Sequence, residues 1–353
     1  MAPRRIERRF ARALAAAALI ALSGCAELGY YWQAVEGQLS INAAREPVTR
    51  VMADPQTPPA LKARLAQATA IRDFASRELA LPDNDSYRSY ADLKRPYVVW
   101  NVFAAEEFSV TPRQWCFPFA GCVAYRGYFA QAGAEAYAAE LRAQGLEVYV
   151  AGVPAYSTLG WFDDPLLNTF INYPDAELAR LIFHELAHQV VYVKGDSEFN
   201  ESFAVAVERA GLARWLAAQG EAAPVAAVAQ ARERRVQFLA VVTAARDRLA
   251  ALYRLRLAPD AMRARKGEVY AQLARDYAAL KQQWKGYTGY DRFFEGINNA
   301  TLASVVLYNA RVPAFERLLA EKGGDLAAFY AAVQSIAALE PAQRAERLDA
   351  GAH

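Results

Sequence analysis

Residues 174–204 read PDAELARLIFHELAHQVVYVKGDSEFNESFA, and the spacings inside this stretch decide how the chain is to be read. His184 and His188 stand four apart, so on a helix both imidazoles leave the same face and can reach one metal ion. Glu185 projects about 100° away round the axis, where its carboxylate can serve a water on that ion. The helix has support of its own. Pro174 suits its first turn, Asp175 and Glu177 favour its dipole, and Leu178, Ile182, Leu186 and Val190 form an apolar stripe. The chain holds only 3 histidines, and surroundings as apolar as IFHELAHQVVYV would make imidazoles without partners costly. The pattern predicts a site for a single zinc ion.

A catalytic zinc takes three protein ligands and keeps one open position. His353, the remaining histidine, is the last residue, so the third ligand is expected to be a carboxylate. Residues 174–220 read as two helices broken at Gly195. His188 lies seven residues before that glycine and Glu201 six after it, so in an antiparallel hairpin both sit about 10 Å from the turn. Glu201 is therefore the expected third ligand, ahead of Glu208, two turns further on, and Glu198, nearer the turn. Asn200 can either orient a ligand or cap a helix.

Outward from this hairpin the chain reads as α+β, predominantly helical, with a small sheet ahead of the motif helices. An alanine-rich helix is expected over 57–81, and strands over 97–103, 122–129 and 146–153 with a helix between the last two. Two long helical segments cover 224–286, and another covers Asn299 to Leu307. The aromatic run WKGYTGYDRFF at 284–294 is expected to pack in a core rather than wall a pocket. AYSTLGWF, Ala155 to Phe162, either follows an edge strand that binds extended peptide or is a turn packing Trp161 inward.

The N-terminus carries an address. Arg4, Arg5, Arg8, Arg9 and Arg12 precede the apolar run ALAAAALIAL at 13–22, which would rise roughly 15 Å as a helix, about half a bilayer's hydrocarbon thickness. That reads as a secretory signal over 1–24, followed by one domain over 25–353. Without those 24 residues, which hold five arginines and one glutamate, the net charge of +2 becomes −2. So balanced a chain lacks the basic surplus of a nucleic-acid binder. In an oxidising compartment Cys116 and Cys122, bracketing a loop with proline and glycine, are expected to pair. A metal site is the alternative, but C-x5-C is not a zinc-knuckle spacing.

Leu22-Ser23-Gly24-Cys25 resembles a bacterial lipobox, which implies lipidation of Cys25 and anchoring in the membrane. With Ala26 following the cysteine, the resemblance points to the periplasmic face of the outer membrane. Asn200-Glu201-Ser202-Phe203-Ala204 resembles the N-E-G-F-A segment of gluzincin aminopeptidases, whose glutamate is the third zinc ligand. The chain departs from those enzymes in having only 12 residues between His188 and Glu201. A fuller resemblance, through YYWQAVEGQL, GCVAYRGYF, AYSTLGWFDDP, HELAHQVVYVKGDSEFNESFA and NNATLASVVLY, is to predicted aminopeptidase lipoproteins of Gram-negative bacteria. It implies a zincin-like core and a zinc peptidase on peptide substrates, with Glu185 activating a zinc-bound water. An aminopeptidase is the first reading, an envelope endopeptidase the second. A zincin-like scaffold that binds peptides without cleaving them is a third, against which the intact Glu185 argues. Oxyanion stabilisation is expected from Tyr308 first and Tyr156 next. Glu106 and Glu107 are open candidates for holding the substrate amine.

Overall fold

The computed structural model describes residues 29–117, 121–155, 157–158, 160–220, 222–306 and 311–350, the side chains of 222–225 and 306 excepted. The chain groups into two units, Met1–Arg45 and Glu46–His353, where the sequence places one boundary after residue 24. In the first unit, helix α1 spans 29–43. Trp32, Val35 and Leu39 are exposed on it at 70%, 53% and 61%. At 100° per residue they fall within about 60° of one another, an apolar stripe open to solvent.

The second unit opens with β1 (Glu46–Pro47), α2 (Val48–Ala53) and α3 (Pro59–Leu79), the helix expected over 57–81. It continues through β2 (Ser89–Ala91), β3 (Val99–Ala105), β4 (Trp115–Phe117), β5 (Gly121–Val123), β6 (Arg126–Tyr128), α4 (Gln131–Ala143), β7 (Glu147–Val153) and β8 (Leu166–Leu167). Then come α5 (Asp175–Val190), α6 (Ser197–Gln219), α7 (Ala222–Tyr253), α8 (Pro259–Gln283), α9 (Asp291–Phe294) and α10 (Asn299–Val306). The chain closes with α11 (Val312–Glu321), α12 (Leu326–Ala337) and α13 (Pro341–Asp349). Helix dominates, and the strands form small sheets.

The main sheet runs β6-β3-β7, antiparallel throughout, with β7 at one edge. Its middle strand is buried on both faces. Trp100, Val102 and Ala104 pack with Ala134, Ala138 and Leu141 of α4, while Phe103 and Ala105 pack with Ala300 of α10. The single strand expected over 122–129 is two, because the chain leaves the β4–β5 hairpin at Val123 and joins β3 at Arg126. Cys116 and Cys122 face each other across that hairpin, Cα atoms 3.8 Å apart, and are disulfide-bonded as the sequence suggests.

Helices α7 and α8 pack through Val242, Ala245, Leu249, Leu273, Tyr277 and Leu280. Trp284, Tyr290, Phe293 and Phe294 of the 284–294 run pack on this core, as expected, while Tyr287 is exposed: Tyr290 stacks on Phe238 at 4.1 Å and Phe294 on Tyr277 at 4.0 Å. Trp161 is 75% exposed, so the loop after β7 does not pack it inward.

Candidate metal centre

The ligand-bearing hairpin is α5 and α6. Leu178, Ile182, Phe183, Leu186 and Ala187 are wholly buried on α5, each large one contributing about 1.5–3 kcal/mol of burial. That fixes the helix's rotation and leaves His184, Glu185 and His188 on its other faces. Arg64 of α3 holds the start of α5, donating from Nε to Ile171 O at 2.9 Å and from Nη1 to Asp175 at 2.5 Å. On α6, Phe199 and Phe203 are one turn apart and both pack on Phe315 of α11. Glu201, halfway between them in sequence, is thereby turned to the opposite side, toward α5.

The turn between the helices needs two glycines. Gly195 has φ +81°, and Gly121, with φ +78°, lies so close that a Cβ on it would stand 2.8 Å from Gly195 N. Asn200 does not cap the helix. Its amide clamps the turn, accepting from Val193 N at 2.7 Å and donating to Val193 O at 2.8 Å. Asp196 is the cap, accepting from Phe199 N at 3.0 Å.

Three donors converge across the hairpin. Glu201 Oε2 lies 3.3 Å from His184 Nε2, and Glu201 Oε1 lies 3.7 Å from His188 Nε2. One donor atom from each of the three residues lies within 4.8 Å of the others. Donors around a tetrahedral ion with bonds of about 2.0–2.1 Å stand about 3.3 Å apart, so two imidazole nitrogens and one carboxylate in this arrangement suit zinc.

Glu208, the second-choice ligand in the sequence, lies behind His184: its Oε2 accepts from Nδ1 at 2.9 Å. A neutral His184 that donates from Nδ1 to Glu208 has Nε2 as the nitrogen that could bind a metal ion. Arg180 donates to both Glu208 oxygens at 3.2 Å, and from Nε to Glu177 at 3.0 Å. Glu198 is taken up by Arg311 at 2.6 Å.

The charges follow from these contacts. Burial works against ionising His184, but its hydrogen bonds to Glu201 and Glu208 outweigh that and raise its pKa. Burial drives His188 down to about 4, so it stays neutral, as a metal-binding imidazole must. Burial opposes the charge on Glu201 and Glu208 as well, yet the neighbouring histidines, and Arg180 for Glu208, hold both below the usual carboxylate range. Glu185 differs: burial lifts it to about 7, and no hydrogen bond from a described residue reaches its carboxylate.

Three buried residues, Asp164 and Tyr87 in the field of Glu185 and Arg72 behind them, were missed in the sequence. Asp164 is buried, and its carboxylate accepts from Thr158 N at 3.1 Å. It adds to the field that raises Glu185. Tyr87 is buried and donates its N–H to Asp164 O at 2.6 Å. Behind it Arg72, fully buried, gathers the carbonyls of Pro82, Asn84 and Ser86. Tyr87 and Asp164 meet across a large sequence separation, Arg72 closes on a loop 10 to 14 residues away, and no local pattern marks them. Glu208 did have a signal, standing seven residues after Glu201 on one helical stripe.

Cys25, Tyr156, Tyr308 and His353 lie outside the described residues. Glu107 is held by Arg263 at 2.6 and 3.0 Å. Glu106 has no contact that marks it as an amine holder.

A family profile described as "Putative aminopeptidase" matches residues 29–348, and the chain belongs to that family. The membership supports a peptidase. Neither a curated protein nor a solved structure matches the chain.

Proposed function

We propose that the protein is a zinc-dependent peptidase of the gluzincin type with a zincin-like core, acting on peptide N-termini. The observation that carries the reading is the convergence of His184 Nε2, His188 Nε2 and the Glu201 carboxylate beside an unengaged Glu185. When bound, zinc supplies a Lewis acid for the scissile carbonyl and acidifies a water.

The chain's own residues do the rest. His184, His188 and Glu201 hold the metal, and Glu208 keeps His184 in the tautomer that can. Glu185 takes the proton of the attacking water on its carboxylate and returns it to the leaving amine. A pKa near 7 suits a group that must do both. On the side of β7 away from β3 no strand pairs among the described residues, and backbone groups there other than Val148 O, which accepts from Asn298, suit an extended peptide.

The family description favours an aminopeptidase over an endopeptidase. Matched peptides with free and N-acetylated termini test this. Hydrolysis of the free form alone is expected, and equal cleavage of both means endopeptidase action.

The sequence also supports export and lipid anchoring at Cys25 on the periplasmic side, with the outer membrane as the expected location. No helix of the described residues is long and apolar enough to cross a membrane. The exposed stripe of Trp32, Val35 and Leu39 begins seven residues after Cys25 and suits a bilayer's interface. Cys25→Ser should move the protein from the membrane to the soluble fraction; full retention would remove the anchor from the account.

A further inference from the structure

Tyr87 sits where a tyrosine is out of place in two ways. Its φ is +63°, a left-handed conformation that bulky L-residues avoid, yet the residue is 2% exposed in the core. Its hydroxyl is buried with no hydrogen-bond partner, although a phenylalanine would fill the same space without that penalty.

The surroundings hold this conformation firmly. Arg72, fully buried, donates to Ser86 O at 2.8 Å, Pro82 O at 2.7 Å and Asn84 O at 3.0 Å, fixing the loop just ahead of Tyr87. Asp164 takes the Tyr87 N–H at 2.6 Å and donates its own N–H to Ser86 Oγ at 3.3 Å. The loop is also tied to the motif helix. Gln189 accepts from Asn84 Nδ2 at 2.8 Å and donates to Ser86 Oγ at 3.2 Å. Gln189 lies four residues after Glu185, so both leave the same face of α5.

The loop that holds Tyr87 thus runs along the Glu185 face, and burial first, then the charge of Glu185, raises the pKa of the tyrosine hydroxyl. Each group lacks a hydrogen-bond partner among the described residues, one a donor and the other an acceptor. Catalytic hydrogen bonds are often long in a resting enzyme and tighten when substrate binds. Strained backbone held by over-determined contacts is where such groupings occur.

We propose that Tyr87 is a positioning residue for the general base: its hydroxyl donates to one Glu185 oxygen during the reaction and leaves the other aimed at the attacking water. The proton stays on Tyr87 throughout. The hydroxyl is enclosed by protein, so it acts through Glu185 and not on the substrate. The inference rests on the peptidase reading above.

Tyr87→Phe removes only the hydroxyl. In the metal-loaded mature protein kcat is expected to fall about 10- to 100-fold, as loss of a hydrogen bond to a charged group does, with KM within about twofold of wild type. Zinc content should be unchanged and the unfolding midpoint no lower, because a hydroxyl without a partner has been removed. A wild-type kcat, or a lowered kcat with loss of metal and midpoint, overturns the proposal.

A cycle with Glu185→Gln separates this inference from the reading beneath it. Tyr87→Phe should add little to the residual rate of Glu185→Gln, and independent multiplication of the two losses contradicts it. The same four proteins are melted. Without substrate the hydroxyl and the carboxylate are apart, so the two midpoint shifts are expected to add. Midpoints that fail to add mean that the hydroxyl is already engaged in the resting protein and overturn the proposal, even if the protein proves to be no peptidase.

Discussion

Glu185→Gln is expected to lower turnover on the order of 10³-fold, within the usual span for a general base, while the protein keeps its full complement of zinc. Glutamine matches glutamate in shape but cannot accept the proton of an attacking water. The His184, His188 and Glu201 donors stand on other positions of the hairpin and keep their spacing. The site has prepared this one carboxylate differently from the rest. Glu201 and Glu208 are held ionised by histidines and, for Glu208, by Arg180, while burial raises Glu185 to about 7. A wild-type rate in the variant would leave Glu185 without a catalytic role. A loss of rate accompanied by a loss of zinc would mean the residue shapes the metal site instead.

The second large effect is on metal affinity. Glu208→Ala should weaken zinc binding about 10- to 100-fold, the range for removing a carboxylate behind a ligating histidine, as read by competition with a chelator. The cause is local. Without the 2.9 Å bond to Glu208, nothing among the described contacts fixes the Nδ1 side of His184. Arg180 also loses its partner and is left paired with Glu177 alone. Glu208→Gln still offers an oxygen to Nδ1, so its loss should be smaller. Unchanged affinity in Glu208→Ala would reduce the Glu208–His184 pair to a packing contact.

How much of this was legible in the sequence varies with distance along the chain. The α5–α6 hairpin could be read because its signals are local: a histidine pair at helical spacing, an apolar stripe, and Gly195 at the break. The juxtaposition of Glu201 with the histidines followed from counting residues either side of that turn. Glu208 was within reach of the same helical reasoning, but counting alone treats it as a more distant ligand. Only the fold shows it lying behind His184. Tyr87, Arg72 and Asp164 were beyond reach, since their meaning lies in contacts between a loop near residue 85, a loop near 164 and a helix near 185. Helices α11 to α13 also carried no motif, yet Phe315 of α11 is one of the residues that turn Glu201 inward. The disulfide was readable from two cysteines bracketing a loop with proline and glycine, but the division of 122–129 between two sheets was not, because it is set by the strand each half pairs with.

The central claim is that His184, His188 and Glu201 hold one catalytic zinc, and metal content tests it most directly. The measurement is zinc per chain in the mature protein lacking Cys25, beside His188→Ala and Glu201→Ala. One zinc in the parent, none in His188→Ala and weakened binding in Glu201→Ala is the expected result. A parent protein that binds no zinc, or a Glu201→Ala variant that holds it as tightly as the parent, would contradict the account.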